Sequence, residues 1–283
     1  MNCVDLHLHS VFSDGSCTPS ELASLAKGCG LSAICLTDHD TTAGTDEMLR
    51  VCERAGLETL PGIELSCSWG DKEIHILGYG MNYRSSGFQS QLSRWQADRD
   101  ERCESMVKKL RAKGYDISMK ALNTAFPNSV LTRAHLAVYL ADTAQIAHKD
   151  LAFKQLIGKG CSCYVPRKKV APEEAVRFLL AYGGIPVFAH PILSRMCEQQ
   201  LDSFTGLLAG HGLKGMEGYY SGYSPSEEAL VARLCKKYGL FLTGGSDFHG
   251  KAKTSIRVGT GKGTLAVPYS CFESLKSCGH FSR

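Results

Sequence analysis

Two histidines, His7 and His9, stand two residues apart in DLHLHS. Side chains at that spacing leave the same face of a strand, so the pair can grip one metal ion. Five residues on, Asp14 lies in FSDGS, a turn-like stretch able to carry a carboxylate back over the strand end. Satisfied core or surface histidines explain a lone pair equally well. The same chemistry recurs, however: Asp38 and His39 in LTDHD, Glu64 in PGIELS, His75 in EIHILGYG, His190 in VFAHP, and Asp247 with His249 in GGSDFHG. Nearly all sit at the carboxyl ends of short apolar runs, the end at which parallel β/α barrels carry their active sites. Buried unpaired, such groups are costly, whereas shared cations neutralise the carboxylates and use the imidazole nitrogens. Imidazole mixed with carboxylate suits Mn, Fe, Zn or Co, and no cysteine joins the pattern to mark a purely structural zinc site.

Phosphate ester hydrolysis calls for such a constellation. The reaction is among the slowest uncatalysed ones and needs both a nucleophile and strong charge neutralisation. Bound metal ions lower the pKa of water to about 7 and hold phosphoryl oxygens during in-line displacement, so no covalent intermediate is required. The sequence has no G-x-x-x-x-G-K-[ST] loop, G-x-S-x-G elbow or H-E-x-x-H pair.

The elements that must position these groups follow from periodicity. CVDLHLH reads as a strand, 19–30 as a helix ended by glycine, SAICLTDH as a strand and 41–56 as a helix; LETLPGIELS and KEIHILGYG supply two more strands. This βαβα order predicts an α/β fold with a mostly parallel sheet or barrel over residues 1–87. Between 88 and 158 the character changes to a long charged amphipathic helix and further helical segments near 118–125 and 131–148, read as a helical insertion. Alternation resumes over 159–283, where PEEAVRFLLAYG, IPVFAHP, KGMEGYY, SPSEEALVARLCKKYG and LFLTGGSDFHG alternate helix and strand character before a final helix near 268–278. Strands on either side of the insertion can close into one barrel.

Composition bounds the rest. The net charge of +4 is too small for a nucleic-acid coat but suits anionic substrates. The thirteen cysteines are odd in number and form no C-x-x-C pair; Cys161 and Cys163 are one residue too close. With no secretory signal or apolar membrane span, the chain reads as a reduced cytoplasmic protein with free thiols.

Taken in order, H-x-H-x4-D, T-D-H-D, P-G-x-E, A-H-P and G-S-D-x-H resemble the PHP (polymerase and histidinol phosphatase) superfamily over almost the whole chain. The resemblance implies a distorted (β/α)7 barrel with a trinuclear centre of divalent transition metals, manganese or iron first and zinc next. His7, His9 and Asp247 would hold one ion, with Glu64 bridging it to a second held by His75 and His190; Asp14, His39 and His249 would hold the third. Glu64, His190 and Asp247 are taken as catalytic. All of these positions are intact, unlike in degenerate PHP domains. Asp38 and Asp40 flank His39 as candidates to orient it, and Asp40 is equally suited to cap the helix near Thr41.

The insertion holds LTRAHLA, similar to an R-x-H segment that contacts substrate phosphate in the branch acting on nucleotides and short RNA. Arg133 and His135 are therefore candidate substrate-binding residues, the guanidinium forking onto phosphate oxygens; the plain alternative is an exposed helix arginine. Arg195, and the Arg167, Lys168 and Lys169 triplet, are weaker candidates. His148, His211 and His280 are taken as surface or structural, and the VGTGKGT glycines as a turn. The expected activity is hydrolysis of a phosphate monoester on a nucleotide 3′,5′-bisphosphate by a metal-activated hydroxide. Alternatives are 5′–3′ exoribonuclease action on short 5′-phosphorylated RNA, histidinol phosphate phosphatase, and a non-catalytic metal-binding module of a replication complex. The expected partner is a small phosphorylated substrate, nucleotide or short RNA, with no membrane and no obligate protein partner.

Overall fold

The computed structural model describes residues 2–166 and 170–279, leaving Arg167, Lys168, Lys169 and His280 outside the described residues. The chain begins β1 (Cys3–Leu8), α1 (Pro19–Gly28), β2 (Ala33–Leu36) and α2 (Thr45–Ala55), followed by β3 (Gly62–Trp69) and β4 (Lys72–Tyr79). Local chemistry sets these limits. Thr18 and Glu21 form a reciprocal capping box ahead of Pro19, and Gly56 ends α2 at φ 68, a left-handed conformation that glycine adopts without Cβ strain. Residues 41–44 form a loop rather than the first turn of α2, which is capped at Gly44.

A run of helices follows: α3 (Ser86–Ala112), α4 (Met119–Ala125), α5 (Arg133–Asp142) and α6 (Lys149–Ala152), the last continuing into a wider turn over Phe153–Ile157. The remaining elements are α7 (Pro172–Ala181), β5 (Ile185–Phe188), α8 (Glu198–Gly210), β6 (Gly215–Tyr220), α9 (Pro225–Tyr238), β7 (Phe241–Gly245), β8 (Val267–Pro268) and α10 (Ser270–Cys278).

The strands form two sheets, in the orders β2-β1-β8 and β3-β4-β5-β6-β7. Both edges of one sheet meet the other. Leu8 bridges Phe248 beyond β7, and His39, just past β2, bridges Glu64 in β3. Gly245 marks a close approach at the first seam: an added Cβ would lie 2.4 Å from the His7 Cβ. The arrangement is mixed rather than mostly parallel. β3 and β4 are joined by the short Gly70–Asp71 connection, which leaves no room for a crossover, so they pair antiparallel, as do β4 and β5. β5, β6 and β7, separated by helices, run parallel.

Apolar side chains pack above and below these sheets, and the helices over 86–157 add a separate cluster. α3 is shared: Phe88, Leu92 and Trp95 enter the main core, whereas Cys103, Met106, Val107 and Leu110 enter the helical one. All thirteen cysteines are free thiols. No described helix is long and apolar enough to cross a membrane.

Candidate metal centre

Strand ends, the loops that follow them and positions in the first halves of β3 and β4 bring His7, His9, Asp14, His39, Glu64, His75, His190, Asp247 and His249 together. Glu64, fully buried in β3, is the hub. Its Oε1 lies 2.8 Å from His75 Nδ1 and 2.9 Å from His190 Nε2; its Oε2 lies 3.2 Å from His7 Nε2, 3.2 Å from His9 Nε2 and 3.1 Å from His39 Nδ1. The two oxygens therefore face two groups of imidazoles. Asp247 Oδ1 stands 3.2 Å from His9 Nε2 and 3.6 Å from His7 Nε2. On the outer side, Asp14 Oδ1 is 3.2 Å from His249 Nε2, 3.9 Å from His39 Nε2 and 4.0 Å from His9 Nδ1.

These residues fit metal ions. With metal–ligand bonds of about 2.1 Å, neighbouring ligand atoms of one ion stand roughly 3 to 3.5 Å apart, as the central pairs do. Asp14 Oδ1 and His39 Nδ1 are buried close to other donor atoms yet make no hydrogen bond, a state that folded proteins rarely leave without a bound partner. Four sets have donor atoms close enough to share an ion: His9, Asp14, His39 and His249; His7, His9 and Asp247; His7, Glu64 and His190; His39, Glu64 and His75. Burial works to raise Glu64, but His39, His7 and His75 outweigh it and hold the carboxyl well below its usual range. Burial also acts on Asp247, and there Lys253, His249 and His7 prevail in the same direction.

The chain around the cluster is held in unusual conformations. His190 and Asp247 have φ of 29° and 55°, strained for non-glycine residues, and each has a backbone N–H that is tied down. His190 N donates to Glu217 Oε2 at 2.8 Å, and Asp247 N to the His7 carbonyl at 2.9 Å. Glu217, fully buried, also places Oε1 3.0 Å from His7 Nδ1, fixing that ring so that Nε2 faces Glu64. Motif spacing does not single out Glu217; its one signal in the sequence is a lone acid inside the apolar run KGMEGYY. The flanking aspartates do other work. Asp38 accepts from Ser10 N, Ser10 Oγ and Ser13 Oγ, tying down the loop after β1. Asp40 accepts from Ser66 N and pairs with Arg99 at 2.8 Å; it does not cap α2.

Beside His39 and His75 a cavity of about 160 Å³ opens toward the helices, lined by Arg99, Arg102 and Arg133 together with Glu73 and Ser66. Arg133 lies at the first turn of α5 and pairs with Glu73 Oε2 at 3.0 Å. Arg99 and Arg102 are hidden in the charge-rich pattern of α3, where their i, i+3 spacing on one helix face is the available clue. His135 does not line this cavity. It is buried, its Nδ1 accepts from Thr132 N at 2.9 Å in the capping box of α5, and its ring lies 4.5 Å from that of Phe126. Arg195 is exposed in a left-handed turn after Ser194 and does not line the cavity either.

The sequence pattern of the PHP domain family matches residues 5–159. The chain is 31% identical to a 5′-3′ exoribonuclease of Haemophilus influenzae over 245 residues, 87% of this chain and 89% of that one. It is 29% identical to a 3′,5′-nucleoside bisphosphate phosphatase of Chromobacterium violaceum over 260 residues, 90% of each chain. A solved structure from Bifidobacterium adolescentis, described as a metal-dependent phosphoesterase, superposes with a TM-score of 0.87 at 27% identity, covering 98% of this chain and 96% of that one. The chain belongs to the PHP domain family and is a metal-dependent phosphoesterase, a hydrolase of phosphoric ester bonds.

Proposed function

We propose that the chain removes a phosphoryl group from a nucleotide carrying two phosphates, of the 3′,5′-bisphosphate kind, at a centre of three divalent transition metal ions, manganese or iron first and zinc next. In this reading β1–β7 form the distorted barrel, and residues 88–158 are the insertion that covers the substrate. His7, His9 and Asp247 hold one ion; His75 and His190 hold a second, which Glu64 shares with the first; Asp14, His39 and His249 hold the third. When bound, the ions supply a nucleophile from water and neutralise charge at the phosphoryl group.

The protein's own residues set the geometry. Glu217 keeps His7 turned toward the cluster, and the left-handed turns at His190 and Asp247 aim those side chains inward. Arg133, which pairs with Glu73 Oε2 at 3.0 Å, takes the second phosphate together with Arg99 and Arg102. The observation that carries the reading is the small arginine-lined cavity opening directly on the histidine–carboxylate cluster: about 160 Å³ suits a phosphate, and it lies below the roughly 300–1,000 Å³ typical of whole small-molecule sites. Similarity to the Chromobacterium violaceum enzyme supports the same substrate class.

The test is phosphate release by metal-free protein reloaded with Mn²⁺, across nucleoside 3′,5′-bisphosphates, histidinol phosphate and 5′-phosphorylated RNA oligomers. The bisphosphate is expected to give the highest kcat/KM among the monoesters, and turnover is expected to vanish with chelation. Preference for histidinol phosphate, or activity insensitive to chelation, overturns the reading.

A further inference from the structure

None of the clustered residues comes from β6, although β6 lies in the sheet between β5 and β7, the strands that lead to His190 and Asp247. What β6 contributes is support. Glu217 holds the His7 ring and the His190 backbone, and Tyr220, the last residue of the strand, reaches Asp247. The Tyr220 hydroxyl donates to Asp247 Oδ2 at 2.6 Å. Lys253, at the end of a single helical turn over Gly250–Lys253, donates to the same oxygen at 2.5 Å.

The two oxygens of Asp247 therefore do different work. Oδ1 faces imidazoles, 3.2 Å from His9 Nε2, 3.4 Å from His249 Nδ1 and 3.6 Å from His7 Nε2. A carboxylate oxygen accepts about two hydrogen bonds, so the hydroxyl and the ammonium fill Oδ2 and leave Oδ1 to the cluster. This matters most at a strained residue. Asp247 has φ 55°, a conformation that persists only where the surroundings over-determine it. Its backbone bond to the His7 carbonyl fixes the main chain but leaves the carboxylate free to turn; the two donors on Oδ2 remove that freedom.

Tyr220 is itself well held. It is buried, with its ring 5.1 Å from that of Tyr223 and 5.6 Å, edge to face, from that of His190. The Tyr223 hydroxyl accepts from Ile192 N at 3.1 Å, just past His190. The tyrosine pair thus backs both left-handed positions, His190 and Asp247. Tyr220 does not line the arginine cavity, so it acts on the reaction through Asp247 rather than by touching substrate.

We propose that Tyr220 is a positioning residue for the metal centre: its hydroxyl, with the Lys253 ammonium, confines Asp247 to holding an ion through Oδ1 alone. The inference rests on the reading of Asp247 as a metal ligand. The two donors are not equivalent. Lys253 aims the carboxylate and also brings a positive charge that repels the ions, whereas the phenol aims it without that charge. Removing the Tyr220 hydroxyl therefore isolates aim from charge.

Tyr220→Phe does this while keeping the ring against His190 and Tyr223. Metal-free wild type, Tyr220→Phe and Asp247→Asn are titrated with Mn²⁺ by calorimetry, and melting midpoints of the metal-free proteins are compared. In Tyr220→Phe one Mn²⁺ equivalent is expected to bind about tenfold or more weakly, while the metal-free midpoint holds. In saturating Mn²⁺, kcat should fall by about tenfold on a nucleoside bisphosphate and on p-nitrophenyl phosphate alike, with each KM within about twofold of wild type. A residue that only packs would lower the metal-free midpoint and spare Mn²⁺ affinity. Wild-type Mn²⁺ affinity in Tyr220→Phe therefore overturns the proposal whatever the midpoint, provided that Asp247→Asn loses an equivalent and so keeps its place as a ligand. If Asp247→Asn also binds Mn²⁺ as tightly as wild type, the ligand reading itself has failed and the proposal falls with it.

Discussion

The two sides of the site are held in place by different means. On the sheet side, the clustered histidines and carboxylates hang from strands and the loops that follow them, whose backbones are stitched to one another. Asp247 N donates to the His7 carbonyl, His9 N to the Phe248 carbonyl, and Glu64 N to the Asp38 carbonyl. On the helical side, Arg99, Arg102 and Arg133 project from helices whose far half has its own core. Polar contacts join that half to the sheets: Gln96 to the Asp40 carbonyl, Ser129 to the Val11 carbonyl and Lys149 to the Ala252 carbonyl. The sheet wall is thus tied by several backbone hydrogen bonds, whereas the helical wall is held mainly by side-chain contacts, with Val130 N donating to the Phe12 carbonyl at 3.0 Å as a backbone link. Chemistry and recognition are thus separable, and substitutions on the two walls should fail differently.

The largest effect is expected on the sheet side. Glu64→Gln keeps the volume but removes the charge that both imidazole groups share. Losing several kcal/mol of charge stabilisation corresponds to a fall in turnover of about a thousandfold. The fall should be the same for a nucleoside bisphosphate and for p-nitrophenyl phosphate, and metal content measured by mass spectrometry should drop with it. Full metal content and unchanged turnover in the Glu64→Gln variant would remove Glu64 from the centre.

Arg133→Ala, on the other wall, removes a forked contact to phosphate and leaves every cluster residue in place. A charge-assisted pair of this kind is worth up to about 3 kcal/mol, so kcat/KM for the bisphosphate should fall by roughly two orders of magnitude. p-Nitrophenyl phosphate has no second phosphate to lose and should be affected far less. Equal losses on both substrates would place Arg133 at the reacting phosphate and collapse the distinction between the walls.

The same division accounts for what is legible in the sequence. The cluster can be read because its members recur beside short apolar runs, where burying so many histidines and acids without a cation to share would be prohibitively costly. The direction of β4 cannot, although Gly70–Asp71 between two strand patterns is a hairpin signal that competes with the βαβα rhythm. Because β4 runs antiparallel, His75 reaches the cluster from the first half of its strand rather than from its carboxyl end. Residues 131–148 carry a continuous helical pattern, yet the chain breaks at Thr143 and restarts at Lys149. Arg99 and Arg102 stay hidden because a charged helix face reads as solvated until something is known to lie opposite.

The smallest expected effect probes how the helical wall itself is held. Arg133 stands at the start of α5, where Thr132 Oγ1 accepts from Ala134 N at 3.1 Å and His135 Nδ1 accepts from Thr132 N. Thr132→Ala removes the hydroxyl half of this capping box and should cost about 1 kcal/mol. The loss falls on a segment with its own apolar cluster, so hydrogen exchange should quicken along α5 while protection in β1 and β3 is unchanged. Bisphosphate turnover should drop only severalfold, through looser placement of Arg133, and p-nitrophenyl phosphate turnover should hold. Exchange that quickens equally in α5 and β1 would show that the helices and sheets open as one unit. In that case the independence of the two walls fails, even if the roles assigned to Glu64 and Arg133 survive.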